Sequence, residues 1–223
     1  MLEKIEAKSL QAKVYQQLKV ALMGGHFAPG QVLVIRDLAD QLGTSPMPIR
    51  QSLHRLVSEH ALEEDDKVRS SVRVPELCAD VFDDIKTTRK LVEAEAAAMA
   101  AKHADDGLLD RLRELDREIS RVVEAGDAGE AALANRNFHF AIYEAAGSVT
   151  MMRVIESLWL QSGPYFRALI DKCFELGDEA IAQINNNDHI LEAMANGDSR
   201  AARKALSEDI ERAAKFFRDY IHQ

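Results

Sequence analysis

Arg50, His54 and Arg55 stand close together in PMPIRQSLHRL (46–56), just after a tight turn at Gly43. Cationic and imidazole side chains spaced along one helix suit phosphate oxygens and the acceptor edge of guanine. The chemistry they imply is DNA recognition. Ser45 and the backbone N–H groups at that helix start add a candidate phosphate site. Lys67 and Arg69, in the polar stretch DDKVRS (65–70), are further candidates for contact with DNA. Farther on, Arg89 precedes Glu93 by four residues. It is either a two-pronged anchor for a ligand carboxylate or half of a salt bridge one helical turn long, and the spacing leaves both open. Arg167 raises the same question more weakly. Nothing points to an enzyme: there is no G-x-S-x-G, H-E-x-x-H, P-loop or G-x-G-x-x-G. The acid pairs Asp65-Asp66, Asp83-Asp84 and Asp105-Asp106 read more simply as solvated edges.

These side chains need elements to hold them. Ser9 is positioned as the N-cap of a first helix, in which Val14, Leu18, Ala21 and Leu22 recur at helical spacing. Gly24-Gly25 ends it, Pro29-Gly30 turns the chain, and VLVI (32–35) reads as a short strand. A second helix covers about 36–41, with Leu38, Ala39 and Leu42 facing in. Thr44 or Ser45 caps the third, where Pro46 fits the first position and Pro48 the first turn. Ile49, Leu53 and Leu56 are its buried stripe, so Arg50, His54 and Gln51 point away. Two extended pieces, 61–64 and 71–74, flank DDKVRS and complete a winged helix-turn-helix with that tip as the wing. The acid run 63–66 is expected to face away from phosphate.

Pro75 breaks the chain, and beyond it no strand signal is convincing. A long helix over 81–102 has an alanine-rich middle, EAEAAAMAA, which suits close helix packing and is expected to pair two copies. Further helices are predicted over roughly 108–125, 129–146, 149–175, 178–196 and 199–221, punctuated by Gly-Asp or Gly-Ser pairs. Short loops at such intervals describe an antiparallel all-helical bundle. The fold is therefore expected to be mainly α: residues 1–76 a DNA-binding domain, 77–223 an effector-binding and dimerisation domain. Trp159, Tyr165 and Phe166 read as core.

Composition sets bounds. The chain has 223 residues and a net charge of −9. Residues 1–76 hold ten basic and ten acidic residues, so the remainder, with 18 against 27, carries all the excess acid. Attraction to phosphate must then come from local placement. No apolar run approaches the roughly 20 residues of a membrane helix, and the first residues lack an apolar h-region, so no membrane partner is expected and the location expected is the cytoplasm. Cys78 and Cys173 form no C-x-x-C pair and read as buried free thiols.

The segment GGHFAPGQVL…LADQLGTSPMPIRQSLHRLVSEHAL resembles the N-terminal winged helix of GntR-type bacterial regulators, keeping Gly25, Pro29, Gly30, Leu38, Ala39, Gly43, Ser45, Pro48, Arg50 and Leu53. It departs at Pro46, where an arginine that touches DNA is usual, and at Ser70, where the wing glycine usually sits. The resemblance implies DNA contacts from Arg36 and Arg50. The remainder resembles the all-helical FadR-like ligand domain of the same family, the FCD type: TTRKLVEAEAAAMAA, NRNFHFAIYEAAGS and HILEAMANGDSRAARKALSEDI match its segments.

Many domains of that type hold a divalent metal with one Asp and three His. The matching positions here read Asn135, His139, Asn187 and Asp209, and only His139 is unchanged; a two-residue shift would bring in His189 instead. Asparagine is a weak neutral ligand, so the resemblance implies an effector pocket of Arg89, Asn135, His139, Asn187 and Asp209 that needs no cofactor, with His139 and Asp209 as the metal ligands if any metal binds. The function expected is a ligand-responsive transcriptional regulator, a repressor, binding an inverted-repeat double-stranded DNA operator as a homodimer and answering to a small carboxylate. Arg36, Ser45, Arg50, His54 and Arg69 are its expected DNA contacts. The alternative is a helical scaffold or metabolite-binding protein that has lost sequence-specific DNA binding, which Pro46 makes thinkable.

Overall fold

Val14, Leu18 and Leu22, spaced for one helical face, are buried along α1 (Ala7–Met23). The computed structural model describes residues 7–65, 67–68, 70–184 and 187–220. The helix already runs at Ala7, so Ser9 lies inside it and not at its cap. Then follow β1 (Val32–Val34), α2 (Ile35–Gln41), α3 (Pro46–Ser58), β2 (Glu63–Glu64) and β3 (Ser71–Arg73). The strand expected over 32–35 stops a residue early because Ile35 turns inward as the first residue of α2. The expected strand over 61–64 shrinks to two residues: Ala61 and Leu62 are drawn into the core after a turn in which His60 has φ 59°. The three strands form an antiparallel sheet in the order β1-β3-β2, with Leu33 opposite Val72. Ile49, Leu53 and Leu56 are buried as their spacing requires.

From Ala79 the described chain is helical: α4 (Ala79–Lys102), α5 (Asp106–Glu124), α6 (Ala128–Ala145), α7 (Val149–Leu176), α8 (Asp178–Ile184), α9 (Asp188–Ala195) and α10 (Ser199–Tyr220). Asp105, Asp127 and Ser148 cap α5, α6 and α7 by accepting backbone N–H groups. The helix expected over 178–196 is two helices; three consecutive asparagines, poor helix formers, lie between them in the sequence. The α4 alanines, expected at a pairing surface, lie inside this chain. Ala94, Ala96, Ala97, Ala98, Ala100 and Ala101 are all buried within this one chain, where α4 packs mainly on α10 and then on α7 and α6. Their small side chains serve close approach inside the bundle.

One apolar core runs without a break from the winged helix into the bundle, joining Leu18 and Leu22 to Phe138, Ile155 and Trp159. The junction is α1 against α7. Lys19 Nζ lies 2.8 Å from Glu156, and Arg167 Nη1 donates to the carbonyls of Gly25 and His26 at 3.4 Å each. At the crossing point Gly163 meets the backbone of Leu22.

Candidate DNA interface and effector cavity

Met47, Arg50, Gln51 and His54 are all exposed and follow one another at the spacing of a single face of α3, opposite Ile49, Leu53 and Leu56. Arg50 and His54 also line the groove between α3 and the wing. Arg36, in the first turn of α2, is exposed, as is Ser45. Arg55 takes no part in this face: it stacks over Tyr15 at 3.7 Å and pairs with Glu59 at 2.9 Å, and Tyr15 donates to Glu59. Ser45 stands at the N-cap without a side-chain capping bond, and two of the first three helical residues are prolines with no N–H. The phosphate site expected from free backbone N–H groups is correspondingly thin. In the wing, Asp65 is not a solvated edge. It accepts the N–H groups of Val68 and Lys67 at 2.8 Å and pairs with Arg73, and these bonds, the Val68 N–H first, hold its carboxyl below the usual range. Glu63 and Glu64 are exposed, and so is Lys67; Arg69 lies outside the described residues.

The second site is a cavity of about 60 Å³ enclosed by α4, α5, α6, α7, α8 and α10. Ile119, Val123, Leu169, Ile170 and Phe174 make much of its wall apolar; Arg89, Asn135, His139 and Asp209 bring polar groups to it. Arg89 resolves as a salt bridge: Nε and Nη2 grip Glu93 at 2.7 and 3.1 Å, and Tyr143 donates to the same carboxylate at 2.5 Å. Burial disfavours the Arg89 charge, but Glu93 outweighs it and keeps the guanidinium firmly protonated. The fork uses two of the three guanidinium nitrogens, Nε and Nη2. Asn187 does not reach the cavity lining; it is buried at the start of α9, where its amide donates to Asp116 at 2.8 Å. His189 is exposed and outside the cavity, and Arg167 is spent on Asp171 and on α1. Trp159 and Phe166, expected to be simple core, line the cavity, as does buried Cys173. Cys78 is exposed. The Trp159 indole Nε1 is buried with no hydrogen-bond partner among the described residues. No periodicity separates such a wall residue from ordinary core. Tyr143, one turn beyond His139, was within reach of that spacing argument and was missed.

Two regions of the chain match known families. Residues 84–212 match the FCD domain, and residues 10–72 match bacterial regulatory proteins of the gntR family. The chain belongs to the GntR family, with an FCD domain. It is 32% identical over 205 residues to the HTH-type transcriptional regulator McbR of Escherichia coli, covering 92% of this chain and 91% of McbR. The solved structure of E. coli McbR/YncC superposes with a TM-score of 0.84 at 30% identity, over 94% of this chain and 98% of that one. A probable D-xylose utilization operon transcriptional repressor from Paenarthrobacter nicotinovorans is 26% identical over 178 residues, covering 78% of this chain and 74% of that protein. As a GntR-family transcriptional regulator the chain carries a DNA-binding domain, and it is not an enzyme. Among the described residues no helix is long and apolar enough to cross a membrane.

The family context explains Ser70. It stands where a wing glycine is usual and has φ 61°, the left-handed backbone that glycine adopts freely and serine only at a cost. The family metal fits this FCD cavity poorly. Of its four donor positions, Asn135, His139 and Asp209 meet at the wall, Asn187 is committed to Asp116, and Asp209 is already paired with Arg212 at 2.9 Å. Among the described residues no three His, Cys, Asp or Glu side chains stand close enough to share an ion.

His139 and Asp209 face each other across 3.6 Å, and burial shifts the two in opposite directions. Burial pushes the Asp209 carboxyl up to about 6, against the pull of Arg212 and Arg89, and burial pushes the His139 imidazole down to about 4. His139 Nε2 faces Asp209 Oδ2 at 3.6 Å, while Tyr143, whose O–H donates to Glu93, presents its oxygen 3.5 Å from Nδ1. The protonated Nδ1 tautomer is the one that fits. Between about pH 4 and 6 the folded pair holds one proton, on Asp209. The unfolded pair also holds one, on histidine. The raised carboxyl alone makes stability fall as pH rises through this window; the lowered imidazole alone makes it rise, and the two cancel. His139→Gln should therefore lose stability between pH 4 and 6 relative to the parent, and Asp209→Asn should gain it. The limit is about 3 kcal/mol, from about 1.4 kcal/mol per pH unit. Denaturant unfolding at the two pH values checks this, and parallel curves for parent and variants would contradict it.

Proposed function

We propose that this regulator is a homodimer that represses transcription from an inverted-repeat operator and releases it when a small organic acid enters the cavity. Residues 1–76 bind DNA, through Arg36, Ser45, Arg50 and His54 and with Arg69 from the wing; residues 77–223 bind the effector and pair the copies. The observation that carries the reading is α7. Its Trp159, Phe166 and Ile170 line the cavity, while its Glu156 and Gly163 meet α1 of the DNA-binding domain and its Arg167 bonds the turn that follows α1. A ligand that moves α7 must move that domain, and so changes the spacing of two recognition helices in a dimer. Inside the cavity the charges cancel, Arg89 against Glu93 and Asp209 against Arg212. Arg89 Nη1, the Asn135 amide and the Trp159 N–H, which meets no acceptor among the described residues, are left to meet one carboxylate, on a small apolar body. The metal-poor donor set supports binding without a cofactor, and the repressor named among the relatives supports repression.

The test starts from double-stranded DNA selected by the full chain from a random pool. The selected sequence should be an inverted repeat bound by a dimer. Arg50→Ala should weaken binding by about 1–3 kcal/mol and relax one base preference, with unchanged melting because the side chain is exposed. A panel of small carboxylates should include one that releases this DNA, and His139→Ala should blunt that response while effector-free binding persists. About one zinc, nickel or manganese per chain surviving dialysis, with the response lost on chelation, would overturn the metal-free reading. A monomer at micromolar concentration would overturn the dimer.

A further inference from the structure

The recognition helix begins with apolar side chains in open water. Met47 is 62% exposed, and Pro46 before it is exposed as well. Prolines at 46 and 48 fix the backbone on both sides of Met47 and remove two N–H groups from the first helical turn. Among the described residues the Met47 side chain takes no part in the core: the core face of α3 is Ile49, Leu53 and Leu56, and Pro48 and Ser52 fill its margin. Met47 sits at the head of the exposed stripe that continues with Arg50, Gln51 and His54. The N-terminal residues of a recognition helix are the ones that approach base edges. In the major groove those edges carry hydrogen-bonding groups and a single apolar one, the C5 methyl of thymine.

We infer that Met47 reads a thymine, packing its side chain on the C5 methyl beside the base pair that Arg50 contacts. The contact rests on α3 being the helix that enters the groove. It adds an apolar determinant to the operator: each half-site carries a thymine whose methyl, and not its hydrogen-bonding pattern, is recognised. Methionine suits this because its long flexible thioether adapts to a small apolar target. The prolines hold its Cα in place, so the side chain alone adjusts.

The experiment uses the full chain and the duplex it selects from a random pool. Each thymine is replaced in turn by deoxyuridine, which removes the methyl and leaves base pairing intact. One position per half-site should weaken binding about fourfold, the worth of one buried methyl group. Met47→Ala, which loses the contact in both half-sites of the dimer, should bind the unmodified duplex about sixteenfold weaker and be indifferent to that replacement, with unchanged melting. Met47→Leu should retain sensitivity, and so should Arg50→Ala, whose loss lies in a different contact. A parent chain indifferent to every replacement, or a Met47→Ala variant as sensitive as the parent, overturns the assignment. Arg50→Ala and Met47→Ala both binding as the parent does would show instead that α3 is not the reading helix, and would overturn the DNA-contact reading with it.

Discussion

Glu93→Ala should destabilise the protein by about 3–5 kcal/mol, the usual cost of removing one partner from a buried ion pair. Glu93 is fully buried and holds three hydrogen bonds, two from Arg89 and one from Tyr143. Its loss leaves a guanidinium without a counter-ion and a phenol without an acceptor, where water cannot replace either. The double variant Arg89→Met, Glu93→Leu removes both charges and should recover the share of the loss owed to the unpaired guanidinium, since a desolvated pair contributes little net stability over an apolar one, while the Tyr143 phenol still lacks its acceptor. That protein should be more stable than Glu93→Ala yet fail to answer the proposed effector, because Arg89 lines the cavity. Thermal and denaturant unfolding of the two variants and the parent provide the check. A Glu93→Ala protein as stable as the parent would show that the pair is not closed off from water.

Gly163→Ala should uncouple the two domains. Within a helix this substitution ordinarily stabilises, because alanine is the better helix former. Here the new Cβ would lie 2.0 Å from the carbonyl oxygen and 2.9 Å from the carbonyl carbon of Leu22, both backbone atoms that no rotamer change can move. Helix α1 must retreat by about 1 Å or more, stretching the Lys19–Glu156 ion pair and the Arg167 bonds to Gly25 and His26. Overpacking of this kind costs about 1–3 kcal/mol. The expected signature is faster hydrogen exchange along α1 with protection in α4 and α10 retained, and DNA binding that no longer responds to effector. Unaltered exchange in α1 would mean that the junction yields at little cost.

Much of this was legible without coordinates. The buried stripe of α3 and the outward direction of Arg50 and His54 follow from the 3.6-residue period, a local property. The breaks at Gly126-Asp127 and Gly147-Ser148 were legible in the same way, whereas the capping bonds of Asp105, Asp127 and Ser148 came only with the structure, Asp105 having read as a solvated edge. The winged helix and the FCD bundle were readable from motifs together with punctuation, since glycines and prolines act on their own backbone. Where the local reading failed, a distant contact was responsible. Ala61 and Leu62 left the expected strand for the core, and the alanines of α4, which suit a partner copy as well as a neighbour, were claimed by α10 within the chain.

What the sequence by itself determined is therefore which residues lie on which face of which helix, and that those faces build a GntR-type DNA-binding unit joined to a helical ligand domain. Only the tertiary structure decided what those faces meet. The four-residue spacing of Arg89 and Glu93 allowed either a salt bridge or a free anchor, and the choice went to the salt bridge because Tyr143, fifty residues away in sequence, closes over the same carboxylate. Asn187 matched a ligand position, yet the packing of α9 on α5 gave its amide to Asp116. Trp159 became a cavity wall, and Gly163 a seat for the Leu22 carbonyl, because α7 is pressed between the cavity and α1. Periodicity acts along a helix and is written in the chain. Packing acts between helices, and the partner that fills each face is set by the whole fold.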